Sequence, residues 1–178
     1  MCRIWQRIDV YCHCCHKSRA IDQIVKPGNY WRQRLADDRK LPLVKPIPAK
    51  MGKRHGQGSI VIPSPHDVAK AIGSIPRSKL TTIDRIAKSV AQTHGATIGC
   101  TVTTGILAWI TANAANEEEL EGKKKILPYW RALRANGELN PNYPGGIENL
   151  TRRLEAEGHS VIRKGKRFLV DRYEEKLA

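Results

Sequence analysis

No apolar run in this 178-residue chain approaches the length of a membrane span. The first twenty residues mix Arg3, Arg7, Asp9 and Lys17 with the apolar ones, so the pattern of a secretory signal is missing as well. A cytoplasmic protein with no membrane partner is the default expectation. Acid is scarce: 17 Asp and Glu face 31 Lys and Arg, for a net charge of +14. On a small domain that excess points to a polyanionic partner, because each neutralised phosphate releases condensed counterions. Ribosomal and membrane-surface proteins share the bias, so charge selects a class of partner and not an activity. A second pair of metal ligands is also lacking. Cys2, Cys12, Cys14 and Cys15 crowd the N-terminus with His13 and His16, yet no matching pair follows downstream, and a tetrahedral site normally takes two ligand pairs separated by a loop. Residues 1–28 are read as an unstructured tail, and neither metal nor cofactor is expected. No internal repeat is visible.

The chain as a whole is 40% hydrophobic, which suffices for one domain plus tails. Residues 29–63 read as a basic extended arm, because Pro42, Pro46 and Pro48 oppose a long helix while Lys40, Lys45, Lys50, Lys53 and Arg54 keep it positive. Such an arm either grips a phosphate backbone or wraps the domain. The domain itself is placed at 64–178. Ser64-Pro65-His66-Asp67 combines a capping residue, a proline at the first helical position and an acid in the first turn. Thr82 caps a second helix in which Ile83, Ile86, Ala87 and Val90 recur at helical spacing until Gly95. A third helix follows the Thr-rich stretch 101–104, with Ile106, Leu107, Ile110 and Ala114 inward. The glycine-containing link between these two helices is compatible with a helix-turn-helix.

Beyond the solvated charges of Glu117–Glu119 and Lys123–Lys125, Asn136-Gly137 marks a hairpin turn where a wing would sit. Tyr143-Pro144-Gly145-Gly146 is a loop, and Ile147, Leu150 and Leu154 predict a last helix ending at Gly158. Val161-Ile162 and Phe168-Leu169-Val170 flank Arg163-Lys164-Gly165-Lys166-Arg167, a hairpin with a basic tip. The fold expected is mainly α with small β hairpins: a winged-helix-type, helix-turn-helix DNA-binding domain with a basic N-terminal arm.

From Lys79 to Gly158 the order of elements resembles the DNA-binding domain of the alkylguanine-DNA alkyltransferases, the methylated-DNA–protein-cysteine methyltransferases. Thr81-Thr82 matches that family's helix-opening threonine pair. Pro128-Tyr129-Trp130-Arg131 falls on its proline, reactive cysteine, histidine and arginine motif. Tyr143-Pro144-Gly145-Gly146 matches its glycine-rich loop, and Leu154-Glu155-Ala156-Glu157-Gly158 its closing segment. The resemblance covers a little under half of the chain. It implies a recognition helix in the minor groove, an arginine inserted into the base stack, and a damaged guanine flipped into a pocket. There a cysteine thiolate, activated by histidine and glutamate, accepts the alkyl group irreversibly.

Decisive positions depart from that pattern. Tyr129 stands at the nucleophile, and a phenol of pKa about 10 is a poor alkyl acceptor at neutral pH. Trp130 stands at the activating histidine, Thr104 at the intercalating arginine and Ile83 at a DNA-contacting tyrosine. Glu157 alone survives of the relay, and Asn113 matches the pocket asparagine. The resemblance is therefore to the alkyltransferase-like branch that lacks the acceptor cysteine, and the reading is non-enzymatic. Its members bind damaged DNA and hand the lesion to excision repair. A base pocket of Tyr129, Trp130 and Asn113 is expected. DNA contacts are expected from Thr82, Thr103, Thr104, Gly105, Arg131, Arg134, Arg163, Lys164, Lys166 and Arg167 of a monomer on double-stranded DNA. Two alternatives stand beside this: an active alkyltransferase using Cys100, which precedes a helix N-terminus, and a general nucleoid or regulatory DNA binder without interest in damage.

Overall fold

A computed structural model describes residues 28–37 and 40–178; the N-terminal cysteine cluster lies outside the described residues. Helix predominates and the sheets are small, which makes a mixed α/β fold. The expected extended arm is instead folded. It comprises α1 (Tyr30–Ala36), β1 (Leu43–Pro46), α2 (Ala49–His55) and β2 (Ser59–Ile62). The prolines there do prevent a long helix, but they leave room for two short ones and an antiparallel strand pair, Leu43 opposite Ile62 and Pro46 opposite Ser59. The ordered domain thus begins well before Ser64.

α3 (Pro65–Gly73) and the helix after it follow their local signals. Ser64 accepts from the Asp67 amide at 3.1 Å while the Asp67 carboxylate accepts from the Ser64 amide at 3.0 Å, a reciprocal cap with Pro65 first in the helix. Thr82 caps α4 (Ile83–Thr93), and its hydroxyl accepts from the Arg85 amide. It also belongs to β3 (Thr81–Thr82). The link to α5 (Thr101–Leu120) contains β4 (Ile98–Gly99), which joins β2 in parallel, so the first sheet has the order β1-β2-β4. Gly99 is needed there for space, since a Cβ would lie 2.1 Å from the Ala87 carbonyl oxygen.

α5 starts one turn earlier than its sequence suggests and runs through Glu117–Glu119. Its buried residues, from Thr104 to Ala115, form one wide face, as befits a helix packed against two cores. Its first half joins a core of Val61, Val68, Ile72, Ile86, Val90, Leu107 and Ile110. Its second half, through Ala112 and Ala115, joins a core of Leu80, Tyr129, Leu133, Leu139, Tyr143, Leu150 and Leu154. The glutamates that read as a solvated link have a structural use. Glu117 accepts from the first-turn amides of Trp31 and Arg32 at 2.9 and 3.0 Å, fixing α1 across α5. Trp31 then meets Trp109 edge to face at 4.7 Å between centroids.

The Asn136-Gly137 turn forms, with both residues at positive φ, but it is not the tip of a two-stranded wing. The strand before it, β5 (Ala132–Leu133), pairs in parallel with β3, and Glu138 bridges instead to Leu169. The second hairpin is as its sequence indicates: β6 (Val161–Lys164) and β7 (Arg167–Val170) pair antiparallel around Gly165-Lys166. It follows α6 (Gly146–Glu155), and the chain end returns to hydrogen-bond both backbone groups of Leu80, from Lys176 and Ala178 at 2.9 Å each.

Candidate nucleic-acid interface and the Tyr129 site

Residues 128–131 leave α5's charged link and turn into β5 through a 3-10 turn. That turn puts Tyr129 into the second core, with no exposed surface at all. Its ring meets Trp130 and Tyr143 edge to face at 5.4 and 5.8 Å. Its hydroxyl accepts from the Asn149 amide group at 3.2 Å. Burial pushes the phenol above its ordinary value, against the opposing pull of Arg153 and the Asn149 hydrogen bond. A buried, protonated phenol is a poor nucleophile, and a ring with no accessible face cannot wall an open base pocket. Asn113, a second of the three expected pocket residues, donates to its own helix at the Trp109 carbonyl, 2.8 Å away.

Trp130 and Arg131 converge on Glu157. The carboxylate accepts from the Trp130 indole at 2.8 Å, from Arg131 Nε and Nη2 at 2.8 Å each, and from the Ser78 amide at 3.2 Å. Arg131 Nη1 donates to the Ile75 carbonyl at 2.7 Å. Partial burial raises the Glu157 pKa, but these donors outweigh it and hold the carboxyl below its ordinary value. With side chains only 13% and 8% exposed, Arg131 and Glu157 form a structural clamp. Arg131, expected at the phosphates, is engaged in this clamp, and the Glu157 carboxylate is taken up by the same set of donors.

Trp130 keeps one feature of interest. The Arg153 guanidinium lies 4.7 Å from its ring centroid and 5.7 Å from that of Tyr129, and is tied to Glu119 at 2.7 Å and to Asn149 at 3.2 Å. A planar cation therefore sits over the indole. Sequence reasoning missed Arg153, which carries no motif; only its i+4 spacing from Asn149 could have hinted at it.

No protein-family model and no curated protein matches the chain. Among solved structures, it is similar to S. pombe Atl1 in complex with damaged DNA containing O6-carboxymethylguanine, at TM-score 0.47 and 17% identity over 64% of this chain and 93% of that one. It is similar also to S. pombe ATL in complex with DNA, at TM-score 0.46 and 17% identity over the same shares. The roles of the residues here rest on their own geometry.

The remaining expected DNA contacts divide into two sets. On α5, Thr104 is fully buried and donates to the Cys100 carbonyl at 2.9 Å, so it occupies neither a groove nor an intercalator's position. Thr82 is buried as a cap, and Thr103 and Gly105 are half-buried. The residues that α5 does expose at its start are Thr101 and Val102. Cys100 precedes this turn with its Sγ 3.2 Å from the Thr103 hydroxyl, and His94 is engaged with Asp67 at 3.2 Å, so the geometry supplies no base for the thiol. On the hairpin, Arg163, Lys164, Lys166 and Arg167 are all exposed. Arg163 is steadied by the Gly165 carbonyl at 2.9 Å, and the Arg167 side chain is 70% exposed. Arg134 is exposed beside Glu138, 3.5 Å away.

Proposed function

We propose that this protein binds double-stranded DNA as a non-enzymatic, alkyltransferase-like protein, and that it recognises alkylated or otherwise damaged guanine in support of repair. The observation that carries DNA binding is the β6–β7 hairpin, whose four cations are exposed on a strand pair anchored to the second core. Structural cations elsewhere are neutralised internally: Arg32 by Glu117 and Glu121, Arg131 by Glu157, Arg153 by Glu119. Lys164 and Lys166 have no such partner among the described residues. Exposed unpaired cations at a tight turn suit phosphate contact, which positions a protein on a duplex without reading sequence. The helix-turn-helix of α4 and α5, with Thr101 and Val102 outermost, would face a groove.

The absence of alkyl transfer follows from the buried Tyr129 and from Trp130, whose indole can donate but cannot accept a proton. Lesion recognition draws its support from Trp130, whose ring already holds a planar group, the Arg153 guanidinium, beside it. A flipped base would take that place, with a stacking contribution of about 1–3 kcal/mol. Binding to O6-alkylguanine and plain duplexes at one fixed salt concentration tests the two levels separately. Tighter binding to the lesion without label on the protein is expected. Equal affinities would leave a general DNA binder, and label lost on Cys100→Ser would make the chain an enzyme. Replacing Arg163, Lys164, Lys166 and Arg167 by Gln is expected to flatten the salt dependence, by about 0.9 in log–log slope for each phosphate no longer neutralised. An unchanged slope removes the hairpin from the interface.

A further inference from the structure

From Lys40 to His66 the chain carries Lys40, Lys45, Lys50, Lys53 and Arg54 and not one Asp or Glu. The fold turns the middle of this stretch into a defined projection. β1 leads out, α2 crosses, and β2 leads back, with the Ile47 amide donating to the Gly58 carbonyl at 2.9 Å to close the base. The base is pinned to the turn between α4 and α5. The Ser59 amide donates to the Thr97 hydroxyl at 3.1 Å, and Ile60 and Val61 pair with Ile98 and Gly99. Gly58 lies so close to Thr97 that a Cβ would sit 2.2 Å from its hydroxyl oxygen. The projection is therefore joined to the α4–α5 unit and rests on the first core, whereas the β6–β7 hairpin rests on the second.

α2 is poorly supported by its own sequence. It has Gly52 at its centre, no side-chain cap, no acid in its first turn, and like charges three and four apart at Lys50, Lys53 and Arg54. Each of these disfavours an isolated helix. No ion pair among the described residues offsets the repulsion at Lys45 or Lys53, and the chain from His55 to Gly58 is exposed. A partner that neutralises these cations would stabilise the helix that carries them.

We infer that the β1–α2–β2 projection is a second phosphate-backbone contact for duplex DNA, separate from the β6–β7 hairpin and fixed in register with α5. This rests on the DNA-binding reading above and adds a surface to it. The test is salt-dependent binding of plain duplex by the full chain and by Lys50/Lys53/Arg54→Gln. The slope is expected to fall by about 2–3 units, additively with the hairpin replacement. Restoring charge with Lys50→Arg and Lys53→Arg should restore the slope. Replacing Lys123, Lys124 and Lys125, which follow the far end of α5, should leave it unchanged. Melting without DNA shows whether each variant is folded. Amide exchange in residues 49–56 of the wild-type chain should slow when duplex is added, a readout that stands even if the triple variant unfolds. An unchanged slope in the projection variant, exchange unaffected by duplex, or an equal fall in the 123–125 variant overturns the inference while leaving the hairpin interface intact. No duplex binding by the wild-type chain overturns both.

Discussion

Tyr129 and His159 show how much a single position can say once its surroundings are known. Tyr129 fills its site, so Tyr129→Cys would exchange a large ring for a small side chain in a closed core. A loss of about 3 kcal/mol is expected by chemical denaturation, and alkyl transfer is not expected to appear. The residue beside the new thiol is Trp130, whose indole donates to Glu157 at 2.8 Å and, having no accepting lone pair, cannot take the thiol's proton. Stoichiometric label on Tyr129→Cys would show that a relay survives. His159 is 4% exposed, and neither ring nitrogen has a hydrogen-bond partner among the described residues. Burial depresses its pKa below 6.5; Glu157 pulls the other way, and Lys176 and Arg131 add to the depression. The folded state therefore favours neutral imidazole. That contribution is complete above the unfolded value near 6.5 and is lost as pH falls from there towards the folded value. Asp67 and Glu157, also depressed, lose their contributions only below the ordinary carboxylate range near 4. Stability should thus decline in two acid steps, and His159→Leu should abolish the upper one in Tm measured from about pH 7 to 5. A decline unchanged in that variant would assign the upper step elsewhere.

Elements are legible where their signals are local. The Ser64 cap with Pro65, the Thr82 cap, the Gly95 stop and the basic hairpin turn all depend on residues within four positions, and each forms where those residues stand. The misread elements depend on distant partners. β2 meets β4 across 38 residues and β3 meets β5 across 51, both in parallel, and no periodicity within either strand announces its mate. The arm at 29–63 reads as extended because prolines forbid long helices; what folds it is the Glu117 cap on α1 and the Thr97 clasp at Gly58. At the site, the order of motifs is visible in the sequence but side-chain direction is not. Thr104 lies inward and Arg131 is consumed by Glu157, because each satisfies a buried carbonyl or carboxylate nearby. Two glycines beside the α4–α5 turn separate packing from groove approach. Gly99→Ala would drive a Cβ into the Ala87 carbonyl at 2.1 Å, whereas Gly105→Ala meets only Ile83 Cγ2 at 3.9 Å. The first is expected to cost about 3 kcal/mol, within the range for overpacking. The second should gain about 0.5–1 kcal/mol from helix propensity. If Gly105→Ala also weakens DNA binding at constant salt, α5 approaches the nucleic acid at that residue and not through Thr101 and Val102 alone.

At the scale of the molecule, two cores share α5 and a net charge of +14 surrounds them. Salt acts on these features unequally. The clamp of Arg131 with Glu157 is nearly buried, so mobile ions screen it little. Repulsion among the exposed cations is screened strongly, and that repulsion opposes the compact state. Raising salt from low to physiological levels is therefore expected to increase the Tm of the free protein. Bound DNA reverses the sign. At low salt, duplex held at about 100 times its Kd adds about 2.7 kcal/mol to the folded state by mass action. That increment shrinks as salt rises, because counterions released into a saltier solution gain less entropy and binding weakens. Melting curves across one salt series, with and without duplex, should start far apart and converge from both sides. Two parallel curves would mean that the bound ligand is not held by charge, and the basic surfaces of both cores would then need another partner.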